Sequence, residues 1–119
     1  MPQNKIYYLG TCDTCARIIK ELKLKQKNFD FQDIKTEKIT PAQLDEMHAL
    51  AGSYEALFSK IARKYRAMKL NERTLTEKEM RKLILDEYTF LKRPVILTHG
   101  RIFIGNSKSN LAAAKKEIG

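Results

Sequence analysis

The chain has 119 residues, a length typical of a single domain, and 43% of them are hydrophobic, which is enough for a buried core. No apolar run approaches the ~18 residues of a membrane-spanning helix and no apolar leader follows Met1, so we expect a cytoplasmic protein without a membrane segment. The formal net charge of +9 is uneven, because residues 61–119 carry 14 basic against 6 acidic side chains. This excess indicates either an anionic partner or a solvated basic helix face.

The first third of the chain predicts a strand, a helix and a second strand. Residues 5–9 are β-prone, and residues 15–25 carry apolar side chains at helical spacing. Residues 29–34 alternate apolar and polar side chains, which is typical of a strand. Strands joined by a helical crossover usually lie parallel, so we expect a parallel pair here.

Residues 40–88 predict a block of helices. Two capping boxes open helices within it, one formed by Thr40 with Gln43 and one by Thr76 with Glu79. A second helical stretch, continuous or broken, covers residues 53–68. Its apolar residues are Tyr54, Leu57, Phe58, Ile61 and Tyr65.

The last part of the chain returns to strands. Pro94 ends the helical block, because proline cannot continue a helix. Residues 95–97 and 102–104 predict a β-hairpin with a glycine-containing loop, and a final helix follows Ser107. The predicted order is therefore β-α-β, a helical block, then β-β-α.

Cys12 and Cys15 are the only cysteines, and they lie where the first strand passes into the first helix. Unpaired backbone N–H groups at a helix N-terminus favour a thiolate, so Cys12 is the expected nucleophile. Cys15, one turn into the helix, is the expected resolving thiol. The alternative interpretations are two buried small hydrophobes or a zinc site, but His48 and His99 lack finger spacing and we expect no metal.

Element order and C-x-x-C motif together predict an α/β, thioredoxin-like fold with a mixed four-stranded sheet and an inserted helical block. We expect one domain over residues 1–119. Residues 1–36 and 90–119 form its thioredoxin-like core, and residues 40–88 form the insertion.

The sequence resembles the ArsC/Spx (arsenate reductase-related) family of bacterial thioredoxin-fold proteins over nearly its whole length. The strongest pieces are residues 6–17, which hold both cysteines, the stretch 52–59, and residues 90–96, which resemble the family signature around an Arg-Pro pair. The resemblance implies that Cys12 is the nucleophile and that Arg93, before a typically cis Pro94, stabilises a bound oxyanion or thiolate. Thr11 and Pro94 are implied as supporting residues.

Of the three arginines that arsenate reductases use, the resemblance matches only Arg93. The first position falls on Ser59, beside Lys60 and with Arg63 one turn later, and these are weaker candidates for supporting the thiolate or oxyanion. The resemblance therefore favours thiol–disulfide chemistry over arsenate reduction. It implies no bound cofactor and a glutathione, glutaredoxin or thioredoxin system as the reductant.

A second branch of the family, the Spx proteins, consists of redox-sensing transcription regulators that bind the C-terminal domain of the RNA polymerase α subunit. The second cysteine resembles this branch, and Gly52 matches the glycine of the region through which these regulators contact that domain. Gly52 also has a purely structural interpretation as the end of a helix. Enzyme and regulator both stay open, and for either we expect a monomer that binds neither membranes nor nucleic acid directly.

Overall fold

The computed structural model describes residues 4–118 of the chain. They divide into two compact units: unit 1 combines residues 4–38 with residues 93–118, and unit 2 is Ile39–Lys92. Within the described residues, every helix is too short or too polar to cross a bilayer.

Unit 1 contains a four-stranded mixed sheet in the order β2-β1-β3-β4. Strand β1 pairs in parallel with β2, whereas β1 with β3 and β3 with β4 are antiparallel. The parallel pair predicted for the start of the chain is confirmed, and so is the mixed α/β sheet. The strands are β1 (Lys5–Tyr8), β2 (Asp30–Asp33), β3 (Val95–Thr98) and β4 (Arg101–Ile104).

Five α-helices occur within the described residues. They are α1 (Asp13–Glu21), α2 (Pro41–Ala51), α3 (Arg63–Ala67), α4 (Glu77–Asp86) and α5 (Lys108–Ile118). Helices α1 and α5 belong to unit 1, and the other three belong to unit 2.

The core of unit 1 lies between the sheet and the apolar faces of its helices. Ile18 and Ile19 of α1 are buried with Ile6, Ile96 and Phe103 of the strands. Burying a large aliphatic side chain contributes about 1.5–3 kcal/mol. This packing holds the start of α1, and with it Cys12, against the end of β1.

Helix α1 ends earlier than its composition predicts. The expected helix continues to Lys25, but α1 stops at Glu21 because Lys23 adopts a left-handed conformation with φ 55°. A short 3₁₀ turn, Leu24–Gln26, follows and buries Leu24. The apolar pattern of the sequence therefore predicted burial correctly but not helical geometry.

Unit 2 is built around the two predicted capping boxes, both of which are confirmed. The side chain of Thr40 accepts a hydrogen bond from Gln43 N at 3.1 Å, and that of Thr76 accepts one from Glu79 N at 3.2 Å. Helix α2 ends at Gly52, which has φ 91°. Few residues other than glycine adopt this left-handed conformation without strain.

The stretch 53–68 is broken into a 3₁₀ turn, Glu55–Leu57, and the short helix α3. Ile61, one of the apolar residues of this stretch, has a side chain that is 93% exposed. Ile61 lies in the turn between these two elements, where helical spacing does not apply. Phe58 and Phe90, by contrast, are buried and stack with ring centroids 5.2 Å apart.

Candidate active site at the cysteine loop

The loop Gly10-Thr11-Cys12 connects β1 to α1. Cys12 N donates a hydrogen bond to Leu9 O at 3.0 Å, and Cys12 O accepts from Ala16 N at 3.1 Å. Cys12 is therefore the N-cap residue of α1, with extended backbone angles. It is half-buried, whereas Cys15, one turn further on, is fully buried, and both thiols are free.

Asp33 anchors this loop to the end of β2. Its Oδ2 accepts from Gly10 N at 3.2 Å, and its Oδ1 accepts from Lys35 N at 3.0 Å. A Cβ on Gly10 would lie 2.4 Å from Asp33 Oδ2, so only glycine fits without displacing the carboxylate. Sequence reasoning missed Asp33, although its position at the end of a strand parallel to β1 is a usable signal, because such strand ends meet at one edge of a sheet.

The pKa values of the two thiols are shifted in opposite directions. Partial burial raises the pKa of the Cys12 thiol, but the backbone N–H of Cys15, the Cys15 thiol, the backbone N–H of Thr14 and the charge of Arg93 outweigh it, so the net pKa is lowered. Burial raises the pKa of the Cys15 thiol to about 11, and the neighbouring Cys12 adds to the rise. The solvent-facing sulfur is thus the one that ionises first.

Arg93 lies just before β3 and is joined to Pro94 by a cis peptide bond. Its Nη1 is buried and has no hydrogen-bond partner among the described residues. A buried N–H group without a partner is costly, and a guanidinium is suited to a bidentate grip on an anion. The positive charge of Arg93 is close enough to both thiols to lower their pKa values.

A model of the ArsC family matches residues 7–114. The chain belongs to the ArsC family. No curated protein matches it in sequence.

Solved structures agree in fold with this ArsC-family chain. A YFFB protein superimposes with a TM-score of 0.83 and 22% identity, covering 98% of this chain and 100% of the other. An arsenate reductase from Vibrio cholerae gives a TM-score of 0.78 and 12% identity, covering 94% and 97%. An arsenate reductase (ArsC) related protein from Brucella melitensis gives a TM-score of 0.71 and 23% identity, covering 93% of this chain and 92% of the other. These likenesses establish the thioredoxin-like ArsC fold.

Unit 1 of this ArsC-family chain contains five of the residues singled out from the sequence. Cys12, Cys15 and Arg93 interact electrostatically, and Pro94 is buried at the start of β3. Thr11 is exposed in the cysteine loop.

The remaining candidates lie in unit 2. Ser59 is buried, and its backbone N–H donates to Phe90 O at 2.7 Å. Lys60 is exposed and forms an ion pair with Glu55 at 3.6 Å. Arg63 is exposed at the start of α3.

Within residues 4–118, no three histidine, cysteine, aspartate or glutamate side chains cluster as a metal site. His48 stacks on Tyr54 in unit 2 with ring centroids 4.1 Å apart. His99 contacts Glu117 in unit 1, with a distance of 3.0 Å from Nδ1 to Oε2. Both histidines therefore have structural partners of their own.

Proposed function

We propose that this protein is a thiol–disulfide oxidoreductase in which Cys12 attacks and Cys15 resolves. The observation that carries the proposal is the contrast between the two thiols beside the unpartnered guanidinium of Arg93. The half-buried thiol of Cys12 has a lowered pKa, and the fully buried thiol of Cys15 has a raised one. A thiolate, not a thiol, is the nucleophile in disulfide exchange.

In the first step the Cys12 thiolate attacks one sulfur of a substrate disulfide. A bond forms between Cys12 Sγ and that sulfur, the substrate S–S bond breaks, and the other half leaves as a thiolate that takes a proton from solvent. The product is a mixed disulfide on Cys12. The positive charge of Arg93, which lowers the pKa of both thiols, favours the anionic charge that is shared among the three sulfurs as the bond exchanges.

In the second step Cys15 gives up its proton to solvent or to the departing sulfur and attacks Cys12 Sγ. The Cys12–Cys15 disulfide forms, and the bound half of the substrate leaves as a thiol. Once Cys12 is in the mixed disulfide it carries no charge, so its contribution to the raised pKa of Cys15 disappears. The reaction of Cys12 therefore removes one of the causes that raise the pKa of Cys15, while burial remains.

The two electrons given to the substrate must be returned by an external thiol reductant. We propose a glutathione, glutaredoxin or thioredoxin system in this role, in the cytoplasm. Arsenate reduction is a weaker proposal, because one unpartnered guanidinium offers less stabilisation to a multiply charged oxyanion than three would.

The direct test is turnover of a neutral chromogenic aryl disulfide with dithiothreitol as reductant. Wild-type protein is expected to accelerate reduction and Cys12→Ser to abolish the acceleration. In a single-turnover reaction without dithiothreitol, Cys15→Ser is expected to accumulate a mixed disulfide visible by mass spectrometry. Equal rates for wild type and Cys12→Ser would overturn the proposal.

We propose as the second candidate a redox-switched regulator that binds the RNA polymerase α subunit, with the same cysteine pair as the switch. Its support is the exposure of Gly52, where an added Cβ would meet nothing within 4 Å. A surface this open accommodates a partner, although the φ of 91° already accounts for the choice of glycine.

This candidate is tested by a pull-down with the C-terminal domain of the α subunit, run with reduced and oxidised protein. Gly52→Asn is the suitable variant, because asparagine tolerates the left-handed conformation and keeps the end of α2. Redox-dependent binding that the variant loses supports the regulator. Absence of binding in both redox states removes it.

A further inference from the structure

A groove runs from the cysteine loop along one side of α1. Its cavity has a volume of about 550 Å³, which lies within the range of sites that bind small ligands. Gly10, two residues before Cys12, lines one end, and Lys23, beyond the end of α1, lines the other. All of its lining residues belong to unit 1.

The apolar part of the groove is lined by residues of β1 and β2 and by one face of α1. Tyr8 and Phe31 meet edge to face with ring centroids 5.9 Å apart, and Ile19 and Ala16 line the helix side. Ala16 follows Cys12 by four residues, so both lie on the same stripe of α1. A ligand bonded to Cys12 can therefore continue along the groove without turning around the helix.

The far part of the groove is rimmed by Lys20, Lys23 and Lys25. All three are exposed, and none is within ion-pair distance of an acidic side chain among the described residues. None of the residues that line the cavity is acidic. An apolar floor with three uncompensated cations is complementary to an anionic ligand with an apolar body.

We infer that this groove binds an acidic, partly apolar peptide segment attached to the sulfur that Cys12 attacks. The inference rests on the proposed function and names the substrate class. Lys20 follows Cys12 by eight residues, a rise of about 12 Å along the helix. An extended peptide covers that distance in three to four residues at about 3.3 Å each. The preferred substrate therefore has apolar residues next to its cysteine and carboxylates three to four residues away.

The test uses short cysteine peptides, each presented as a mixed disulfide with the same chromogenic aryl thiol. One peptide has two leucines and then two glutamates after the cysteine. Its matched partners replace the glutamates by glutamines or lysines, or place the glutamates next to the cysteine. We expect kcat/KM for the distal glutamate peptide to exceed that of the lysine peptide at least about tenfold, and to fall with added salt.

Variants of the protein test whether the groove lysines determine the preference for acidic peptides, independently of the disulfide reaction. Lys20→Gln/Lys23→Gln/Lys25→Gln is expected to bring the ratio of kcat/KM between the glutamate and glutamine peptides close to one. The matched control, Lys35→Gln/Lys108→Gln/Lys116→Gln, removes the same charge from exposed positions outside the groove and keeps the ratio. A ratio that survives the first triple variant, or a wild-type protein that ranks all peptides equally, overturns the inference while leaving the oxidoreductase intact.

A binding measurement keeps the inference testable if turnover fails. The distal glutamate peptide with serine in place of cysteine carries a fluorophore, and its affinity is measured by polarisation. Binding is expected to weaken about tenfold in the groove triple variant and also in Ala16→Leu, which fills the groove from an exposed helix position, but not in Ala113→Leu on α5. Equal binding to all of these proteins overturns the groove assignment, whereas failure of the neutral disulfide assay overturns only the proposed chemistry.

Discussion

Arg93 in unit 1 and Arg81 in unit 2 differ in their hydrogen-bond partners. Arg81 donates from Nε and Nη2 to the two oxygens of Asp45, at 2.9 and 3.1 Å, and Tyr54 donates to the same carboxylate at 2.6 Å. Arg93 has a buried Nη1 without a partner among the described residues. The charge of Arg81 is balanced by Asp45, whereas Nη1 of Arg93 has no such partner, and the proposed function assigns the charge of Arg93 to the cysteine loop.

Arg81 is thus a cation with a carboxylate partner, whereas Arg93 is a cation to which we assign a ligand or a transition state only by proposal. Within the described residues, the lysines of the groove resemble Arg93 in lacking a carboxylate partner, although they are exposed and Arg93 is not. Substitutions at the two arginines and at their neighbours test this difference.

The largest effect is expected at the nucleophile. Cys12→Ser should lower kcat/KM for a neutral disulfide at least about a thousandfold, because a serine hydroxyl is not ionised at neutral pH. Cys15→Ser should keep the first step and stop after it. Stopped-flow release of the aryl thiolate measures the first step, and one equivalent released by Cys15→Ser distinguishes the two roles. A multiple-turnover rate for Cys15→Ser equal to wild type would contradict the resolving role.

The two arginines should differ next. Arg93→Gln removes a charge that helps to lower the pKa of Cys12, so the pKa rises and the thiolate fraction at neutral pH falls. Because hydrogen bonds to Cys15 and Thr14 lower the same pKa more than Arg93 does, we expect the alkylation rate at Cys12 to fall only about two- to fivefold in Arg93→Gln. Arg81→Gln, which removes a cation of the same type from the paired network of unit 2, serves as the control. Equal reactivity in both variants would remove Arg93 from the mechanism.

The contact between the cysteine loop and β2 should give an intermediate effect. Gly10→Ala places a Cβ against Asp33, and overpacking of this kind typically costs about 1–3 kcal/mol. Asp33→Ala loses the hydrogen bond but removes the clash, so the double variant should be more stable than Gly10→Ala alone. Urea unfolding of the four proteins measures this coupling, and strictly additive effects would show that the contact is not formed.

The smallest effect is expected from the exposed network of unit 2. The hydrogen bond from Arg81 is the main cause that lowers the pKa of Asp45 to about 2. A lowered carboxyl pKa contributes stability above the unfolded-state value near 4, and this contribution is lost as the pH falls through about 2. Asp45→Asn should therefore lower Tm slightly at neutral pH and not at the acid end, with unchanged turnover. A turnover defect would link this network to the chemistry.

Much of the fold was predictable from the sequence, because local motifs such as the capping boxes are strong signals. The capping boxes at Thr40 and Thr76 identified two helix starts, since the motif specifies its own hydrogen bonds. The end of α1 was not predictable, because a local pattern shows neither the left-handed conformation of Lys23 nor the burial of Leu24 that follows it. The exposure of Ile61 was not predictable for the related reason that an apolar pattern does not reveal a turn.

The candidate site was predictable only in part. The cysteine motif and the Arg-Pro pair point to sulfur chemistry and an anion, and unit 1 places them together. Asp33 and the lysine-rimmed groove were not foreseen, because both arise from the pairing of β1 with β2 and from the packing of α1, which no local pattern describes.

The central claim is that the fold gives the two thiols different acidities. Alkylation of the reduced protein at a series of pH values, read for each cysteine by mass spectrometry, tests it most directly. The account predicts that Cys12 reacts with a midpoint below the ordinary thiol value of about 8.5, and that Cys15 resists until the pH approaches 11. Two thiols that titrate together, or Cys15 reacting first, would contradict it.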